Sequence, residues 1–334
     1  MKKQSFEGFG RVWGASGVQN FDKSGWWYHQ FLRFIGLVFW GVTFVSKTTT
    51  LRPRLDPSKR EGNMPLKDDG ITPKEKFPKC IHITFWMWIR GMVLNAVGLS
   101  GPGAKALLEK GIWHKMKGPI VLSFMSVAQK REERLEELRQ FLRMLRLELP
   151  KFNAKKIALQ INYSCPNTGH DLKELAGEVC EGLDMAWDLR IPIMPKFNVQ
   201  MPIEDAFNIS HHSGCAGICI SNTIPFGKVL PPAWWEKYFG TADPAKSPLA
   251  EFGGGGLSGK PLRSLVEKWV RDARSYGISC HINAGGGVLG PIGAIRLFLA
   301  GADSIFLGSI AMLRPWMMLP TIWVGKFVGW FMHV

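Results

Sequence analysis

A chain of 334 residues, 46% hydrophobic and 21% charged, can bury one large core as a single domain, and no internal repeat or low-complexity tract divides it. The formal net charge of +15 is compatible with nucleic acid, an anionic membrane surface or solubility alone, but the basic residues are dispersed and no nucleic-acid motif accompanies them. Six cysteines with no CxxC pair and no His/Cys ligand spacing argue against a zinc site or an internal iron–sulfur cluster, so no metal is expected, and they fit a reducing, cytoplasmic compartment.

The chain opens on Met1-Lys2-Lys3, but residues 4–10 supply no apolar stretch, so a cleaved export signal is not expected. Eight apolar, β-rich runs follow at 11–16, 41–47, 119–124, 156–162, 192–196, 216–222, 279–284 and 303–307, each ending in polar groups or glycine. Between several of them lie helical patterns. The clearest is 127–149, where Leu135, Leu138, Phe141, Leu142 and Leu145 recur at spacings of three and four among charged residues. This alternation predicts parallel strands with crossover helices, and eight strands predict an α/β fold closed as a (β/α)8 TIM barrel spanning 1–334. Two long connections, an inserted region at 48–90 and another at 224–255, are expected as loops over the carboxyl ends of the strands. The end of the chain, 314–334, is a Trp-rich apolar tail. Pro320 and Lys326 weaken a membrane-spanning reading, which leaves an interfacial or oligomer-packing segment.

The densest chemistry is at Asn162-Tyr163-Ser164-Cys165-Pro166-Asn167, directly after the fourth run. A lone cysteine is ordinarily a small buried hydrophobe. Two amides beside it at a strand end make instead a hydrogen-bonding clamp around a proton acceptor. Gly285-Gly286-Gly287 after the seventh run and Gly308-Ser309 after the eighth stand where barrels most often cradle phosphate on free backbone N–H groups. With no GxGxxG fingerprint, a mononucleotide such as FMN is favoured over a bound dinucleotide. Lys47 and Lys196 each end a run; such lysines can simply snorkel to water, yet two converging on phosphate and amides suggest anion recognition, and a flavin needs positive charge beside N1.

Together with Ala15-Ser16-Gly17-Val18, Ser46-Lys47-Thr48-Thr49, Asn95 to Leu99, Ser221-Asn222-Thr223 and the segment 255–262, these residues resemble the dihydroorotate dehydrogenase family, in family order from residue 15 to 309. The resemblance implies an FMN barrel that oxidises (S)-dihydroorotate to orotate in de novo pyrimidine biosynthesis. Cys165 falls on the catalytic base that takes the C5 proton while hydride passes from C6 to flavin N5. Asn95, Asn162, Asn167, Asn222 and Thr223 fall on the residues that hold the pyrimidine ring, and Lys47 with the backbone at Gly98 and Leu99 on its carboxylate site. Lys196 falls on the lysine at flavin N1. Ala15, Ser16, Gly17, Lys47, Asn162, Gly256, Gly259, Gly286, Gly287, Gly308 and Ser309 fall on flavin and phosphate segments.

A cysteine base resembles the soluble class 1 enzymes, whereas Asn167-Thr168-Gly169 and 255–262 resemble class 2. The electron acceptor is accordingly open among fumarate, NAD through a partner subunit carrying FAD and an iron–sulfur cluster, and quinone at a membrane reached through the tail. A soluble oxidant is favoured. A homodimer or that partner subunit is expected. The rival readings are a reductase of uracil resembling dihydropyrimidine dehydrogenase, which carries histidine where Asn167 stands, and a non-catalytic flavin-binding or membrane-associated scaffold.

Overall fold

A parallel strand covered on both faces needs apolar side chains at nearly every position, and the chain supplies such runs. The computed structural model describes residues 4–56, 58, 61–163 and 172–331. Its strands are β1 (Val12–Gly14), β2 (Phe44–Val45), β3 (Ile81–His82), β4 (Met92–Asn95), β5 (Ile120–Phe124), β6 (Ile157–Asn162), β7 (Ile193–Phe197), β8 (Gly217–Ile220), β9 (Ile224–Pro225), β10 (Gly256–Gly259), β11 (His281–Ala284) and β12 (Ser304–Leu307). Eight of them, in the order β1-β12-β11-β8-β7-β6-β5-β2, form one parallel sheet and coincide with the eight predicted runs. The sheet closes on itself: Thr43 N donates to Val12 O at 3.0 Å and Gly14 N to Thr43 O at 2.9 Å, which joins β1 to the segment entering β2. The fold is a (β/α)8 barrel.

Strand alternation divides the barrel's side chains into two sets. Trp13, Val45, Val121, Ala158, Met194, Cys219 and Phe306 form an inner cluster, stopped at one end by Phe6 and Phe9. Their neighbours on the strands, Val12, Phe44, Ile120, Leu122, Leu159 and Ile193, pack in the outer cluster against the helices. Helix Arg131–Glu148 turns Leu135, Leu138, Phe141, Leu142 and Leu145 inward as its periodicity predicts, and Phe141 stacks on Phe124 of β5 with centroids 4.1 Å apart.

Two features depart from the expected loops. Within the inserted region, β3 and a short helix, Phe85–Arg90, are ordered; Thr84 caps the helix through its side chain and Gly91 ends it in the left-handed conformation. A six-residue aromatic helix is too short to show a period. Strands β3, β4, β10 and β9 then pair as a separate antiparallel sheet, with Asn95 of β4 opposite both Ile81 of β3 and Gly256 of β10. The tail forms a helix, Met318–Phe331, seated on the barrel so closely that a Cβ at Gly325 would come within 2.8 Å of Val12. Pro320 lies in its first turn, where a missing N–H costs nothing. Among the described residues no helix is long and apolar enough to cross a membrane.

Candidate active site

Moving two residues up from the inner cluster on each strand gives the floor of a cavity of about 700 Å³. Trp13 leads to Ala15, Val45 to Lys47 and Met194 to Lys196, and Ala158 leads through Gln160 to Asn162, so the parity that fills the barrel with apolar groups brings polar ones to its carboxyl end. The small sheet forms the opposite wall through Asn95 and Gly256.

A run of hydroxyls fixes the floor. Ser16 Oγ donates to Ser46 O at 2.9 Å, so its contact with Thr48 Oγ1 at 2.8 Å takes the Thr48 proton. Thr48 Oγ1 is thereby free to accept from Asn162 Nδ2 at 2.8 Å and to pair with Ser123 Oγ at 2.9 Å. The opposite atom of that amide, Asn162 Oδ1, is buried and has no hydrogen-bond partner. Thr48 belongs to the Ser46–Thr49 motif but carries no role in the sequence, and Ser123 belongs to no motif. Ser123 is the single polar residue in its strand, and that is the signal it offered.

Lys47 and Lys196 are both buried. Burial pulls Lys47 down from its ordinary value to about 8 and lowers Lys196 as well. The groups beside them do not supply a negative charge. Cys80, near Lys47, is pushed up by burial to about 11, and Cys219, near Lys196, to about 12, so both thiols stay protonated. Each ammonium instead faces an aromatic ring, Lys47 at 5.1 Å from the centroid of Phe21 and Lys196 at 5.2 Å from that of Phe306. Two buried cations without a carboxylate among the described residues are costly unless an anion completes them.

The remaining candidates converge on the same cavity. The turn at Gly98 and Leu99 enters it with positive φ at both residues, 68° and 59°. Left-handed backbone at a leucine costs of order 1 kcal/mol and persists only where neighbours impose it. Here Arg54 Nε holds the Gly98 carbonyl at 3.0 Å, Asn63 N the Val97 carbonyl at 3.0 Å, and Ser100 Oγ the same Val97 carbonyl at 2.9 Å. Asn222 is anchored through its N–H to Phe197 O at 2.9 Å, next to Thr223. On the far side Ser16 and Gly17, Gly286 and Gly287, and Gly308 and Ser309 line one stretch of wall. Gly287 sits at φ 74°, and a Cβ there would come within 2.8 Å of both Arg263 Cβ and Gly259 O, so only glycine brings this backbone to the cavity. A side chain at Gly259, φ 104°, would strike the carbonyl of Gly91.

Cys165 and Asn167 lie outside the described residues. Arg134 and Glu178, both in the cavity wall, form a two-pronged ion pair, Nε to Oε1 at 2.9 Å and Nη2 to Oε2 at 2.5 Å, which ties helix Arg131–Glu148 to helix Leu172–Ala186. Nothing in the sequence pattern singles out this pair among the many charges of those helices.

A closed parallel barrel whose strand ends carry two buried lysines, oriented amides and a glycine-lined wall defines a (β/α)8-barrel protein with a polar cavity at the carboxyl ends of its strands. The family model for Dihydroorotate dehydrogenase matches residues 84–323, and the chain belongs to the dihydroorotate dehydrogenase family. It is similar to the "Dihydroorotate dehydrogenase B (NAD(+)), catalytic subunit" of Saccharolobus solfataricus, 23% identical over 239 residues that cover 70% of this chain and 71% of that one. It is also similar to the "Dihydroorotate dehydrogenase A (fumarate)" of Lactiplantibacillus plantarum, 26% identical over 233 residues covering 66% and 68%. The crystal structure of DHODH from Eimeria tenella in complex with ferulenol shares the fold, with a TM-score of 0.62 and 18% identity over 93% of this chain and 79% of that one.

Proposed function

We propose that this protein oxidises (S)-dihydroorotate to orotate with FMN as its cofactor. The observation that carries the reading is the pair of buried lysines, Lys47 and Lys196, in one cavity whose carboxylate, Glu178, is taken by Arg134, with no ion pair to either lysine among the described residues. Such a cavity suits one ligand with a carboxylate and a second with an anionic ring edge and a phosphate. The residues present fit a phosphorylated flavin on three counts: among the described residues Asn162 Oδ1 is a buried acceptor without a donor and Lys196 a buried cation without an anion, and Gly287 brings backbone to the wall where a side chain could not.

When bound, FMN supplies the two-electron sink that accepts the hydride leaving C6 of the substrate. The protein's part is to hold the pyrimidine and to take a proton. Asn95, Asn162, Asn222 and Thr223, with Asn167, would bind the ring edges. Lys47 and the turn at Gly98-Leu99 would bind the carboxylate and set which carbon faces the base. Cys165 would take the proton from C5 as thiolate, a form that a thiol of ordinary pKa about 8.5 reaches near neutrality only with help from its surroundings. Lys196 would keep positive charge at the edge of the flavin, while Ser16, Gly17, Gly256, Gly259, Gly286, Gly287, Gly308 and Ser309 would shape its wall and phosphate seat.

Anaerobic mixing with dihydroorotate, followed by flavin absorbance, tests the reading. Bleaching by dihydroorotate and not by dihydrouracil is expected. Bleaching by dihydrouracil alone, or a purified protein with no flavin after flavin-replete expression, would overturn it.

A further inference from the structure

Three segments remote in sequence meet on one side of the barrel: the stretch 24–42 around helix His29–Phe34, the stretch 76–91, and the stretch from Ile310 onward. Trp88 lies 6.0 Å from Trp316, Trp40 stacks on Trp323 at 6.0 Å, and Trp27 meets Phe77 edge-on at 6.1 Å. Arg314 also donates to the Ile89 carbonyl at 3.2 Å. The surface they form is aromatic and open to solvent, with Phe34 89%, Phe77 80% and Phe85 68% exposed. Contiguous apolar surface of this kind marks an interaction site.

Its charge says what it meets. Over residues 24–42, 76–91 and 310–331 the sequence carries Arg33, Lys76, Lys79, Arg90, Arg314 and Lys326 and not one Asp or Glu; Asp22 and Glu75 stand just before the first two stretches. The cations are set among the rings, Lys76 at 5.1 Å over Trp27, Arg90 at 5.7 Å over Trp86 and Lys326 at 5.0 Å over Trp40. A second copy of the chain on this face would set cation against cation with no carboxylate to relieve them. Exposed Ile35, Ile83 and Ile89 offer nothing to a sugar–phosphate backbone. Aromatic rings that sit at headgroup depth, aliphatic side chains that enter the acyl boundary and lysines and arginines that reach up to phosphate are the composition of an interfacial surface.

We propose that this face docks on an anionic lipid bilayer. Trp26, Ile81 and Met312, one from each segment, are at the same time walls of the cavity, so the docked surface is continuous with the active site. The membrane side of the molecule is therefore built from the start, middle and end of the chain together.

The test is cosedimentation of the purified full-length protein with phosphatidylcholine vesicles, with and without about a third phosphatidylglycerol, at low and high salt. Salt-sensitive binding to the anionic vesicles is expected. Lys326→Gln and Arg90→Gln should each lower the partition coefficient roughly fivefold, the worth of one basic residue near an anionic surface. Phe34→Ser/Phe85→Ser/Trp86→Ser should abolish binding, and Tyr276→Ser, an exposed aromatic elsewhere, should not change it. Thermal unfolding of each variant shows that it is folded, and the single charge variants carry the test if the triple one is not. Absence of anionic-vesicle binding, equal binding to neutral vesicles in every variant, a dimer that these substitutions dissociate, or preference for a short oligonucleotide would each overturn the proposal.

Discussion

Asn162 and Lys196 sit directly opposite each other in the register of β6 and β7, so the oriented amide and the unpaired ammonium project from adjacent strand ends into one cavity. Neither has a charged partner among the described residues, and the amide is turned by Thr48 so that its oxygen is the atom left over.

That orientation depends on Thr48. Thr48→Val removes the acceptor for Asn162 Nδ2 and the donor to Ser16 Oγ while keeping the shape of the side chain. We expect destabilisation of about 1–3 kcal/mol, the usual cost of unsatisfied buried polar groups, together with weakened flavin retention. Denaturant unfolding and the flavin-to-protein absorbance ratio measure the two. A variant with unchanged flavin content would leave the hydroxyl chain structural only.

Lys47 gives a pH signature. Its native pKa of about 8 lies below the ordinary 10.5, so between those values the unfolded chain binds more protons than the native one, and its contribution to stability rises with pH across that window. Orotate binding should run the other way. Above pH 8 the free lysine is neutral, and the dissociation constant should climb about tenfold per unit until the pH passes the raised pKa that Lys47 has with the carboxylate bound. Lys47→Ala should weaken orotate binding by about 1.5–3 kcal/mol at pH 7 and flatten the profile. A profile in the variant as steep as in the wild type would remove Lys47 from the carboxylate site.

Cys165 is tested by rate. Cys165→Ala should retain FMN and orotate binding and slow flavin reduction by roughly two to four orders of magnitude, the share of a positioned base. Cys165→Ser should be partly active, a hydroxyl being the poorer acceptor near neutral pH. Stopped-flow reduction at the wild-type rate in Cys165→Ala would show that the proton goes elsewhere.

The electron acceptor can be read from the docking face. If the aromatic surface lies on lipid, anionic vesicles should speed reoxidation of the reduced protein by a lipid-dissolved quinone and leave fumarate turnover unchanged. Fast fumarate turnover with an inert quinone would return the acceptor to solution. Truncation after Arg314 is a poor substitute for surface variants here, because it strips the helix that packs on Val12 and Ile305.

The barrel was legible because its strands are buried on both faces and its period-two alternation persists to their ends. Val45 and Lys47, or Met194 and Lys196, show interior apolar and site polar residue on one side of a strand within three positions. The roof was not legible. Strands β3 and β9 have two residues each, and β10 reads Gly-Leu-Ser-Gly, which looks like a turn until Asn95 and Ile224 are seen beside it. The hydroxyl chain was missed for a different reason: Ser16, Thr48, Ser123 and Asn162 come from four separate strand ends, and only barrel closure places them together.

That closure has a consequence for synthesis. Strand β1 has two neighbours, one that leaves the ribosome shortly after it, at Thr43, and one that emerges after all the other barrel strands, at Ile305 to Leu307. Until then Val12 and Trp13 belong to an open-edged sheet, and such edges pair readily with other chains. The growing polypeptide must carry an unfinished seam from β1 until β12 is made, so a nascent chain arrested before β12 should be a client of chaperones even though seven of the eight barrel strands are already made.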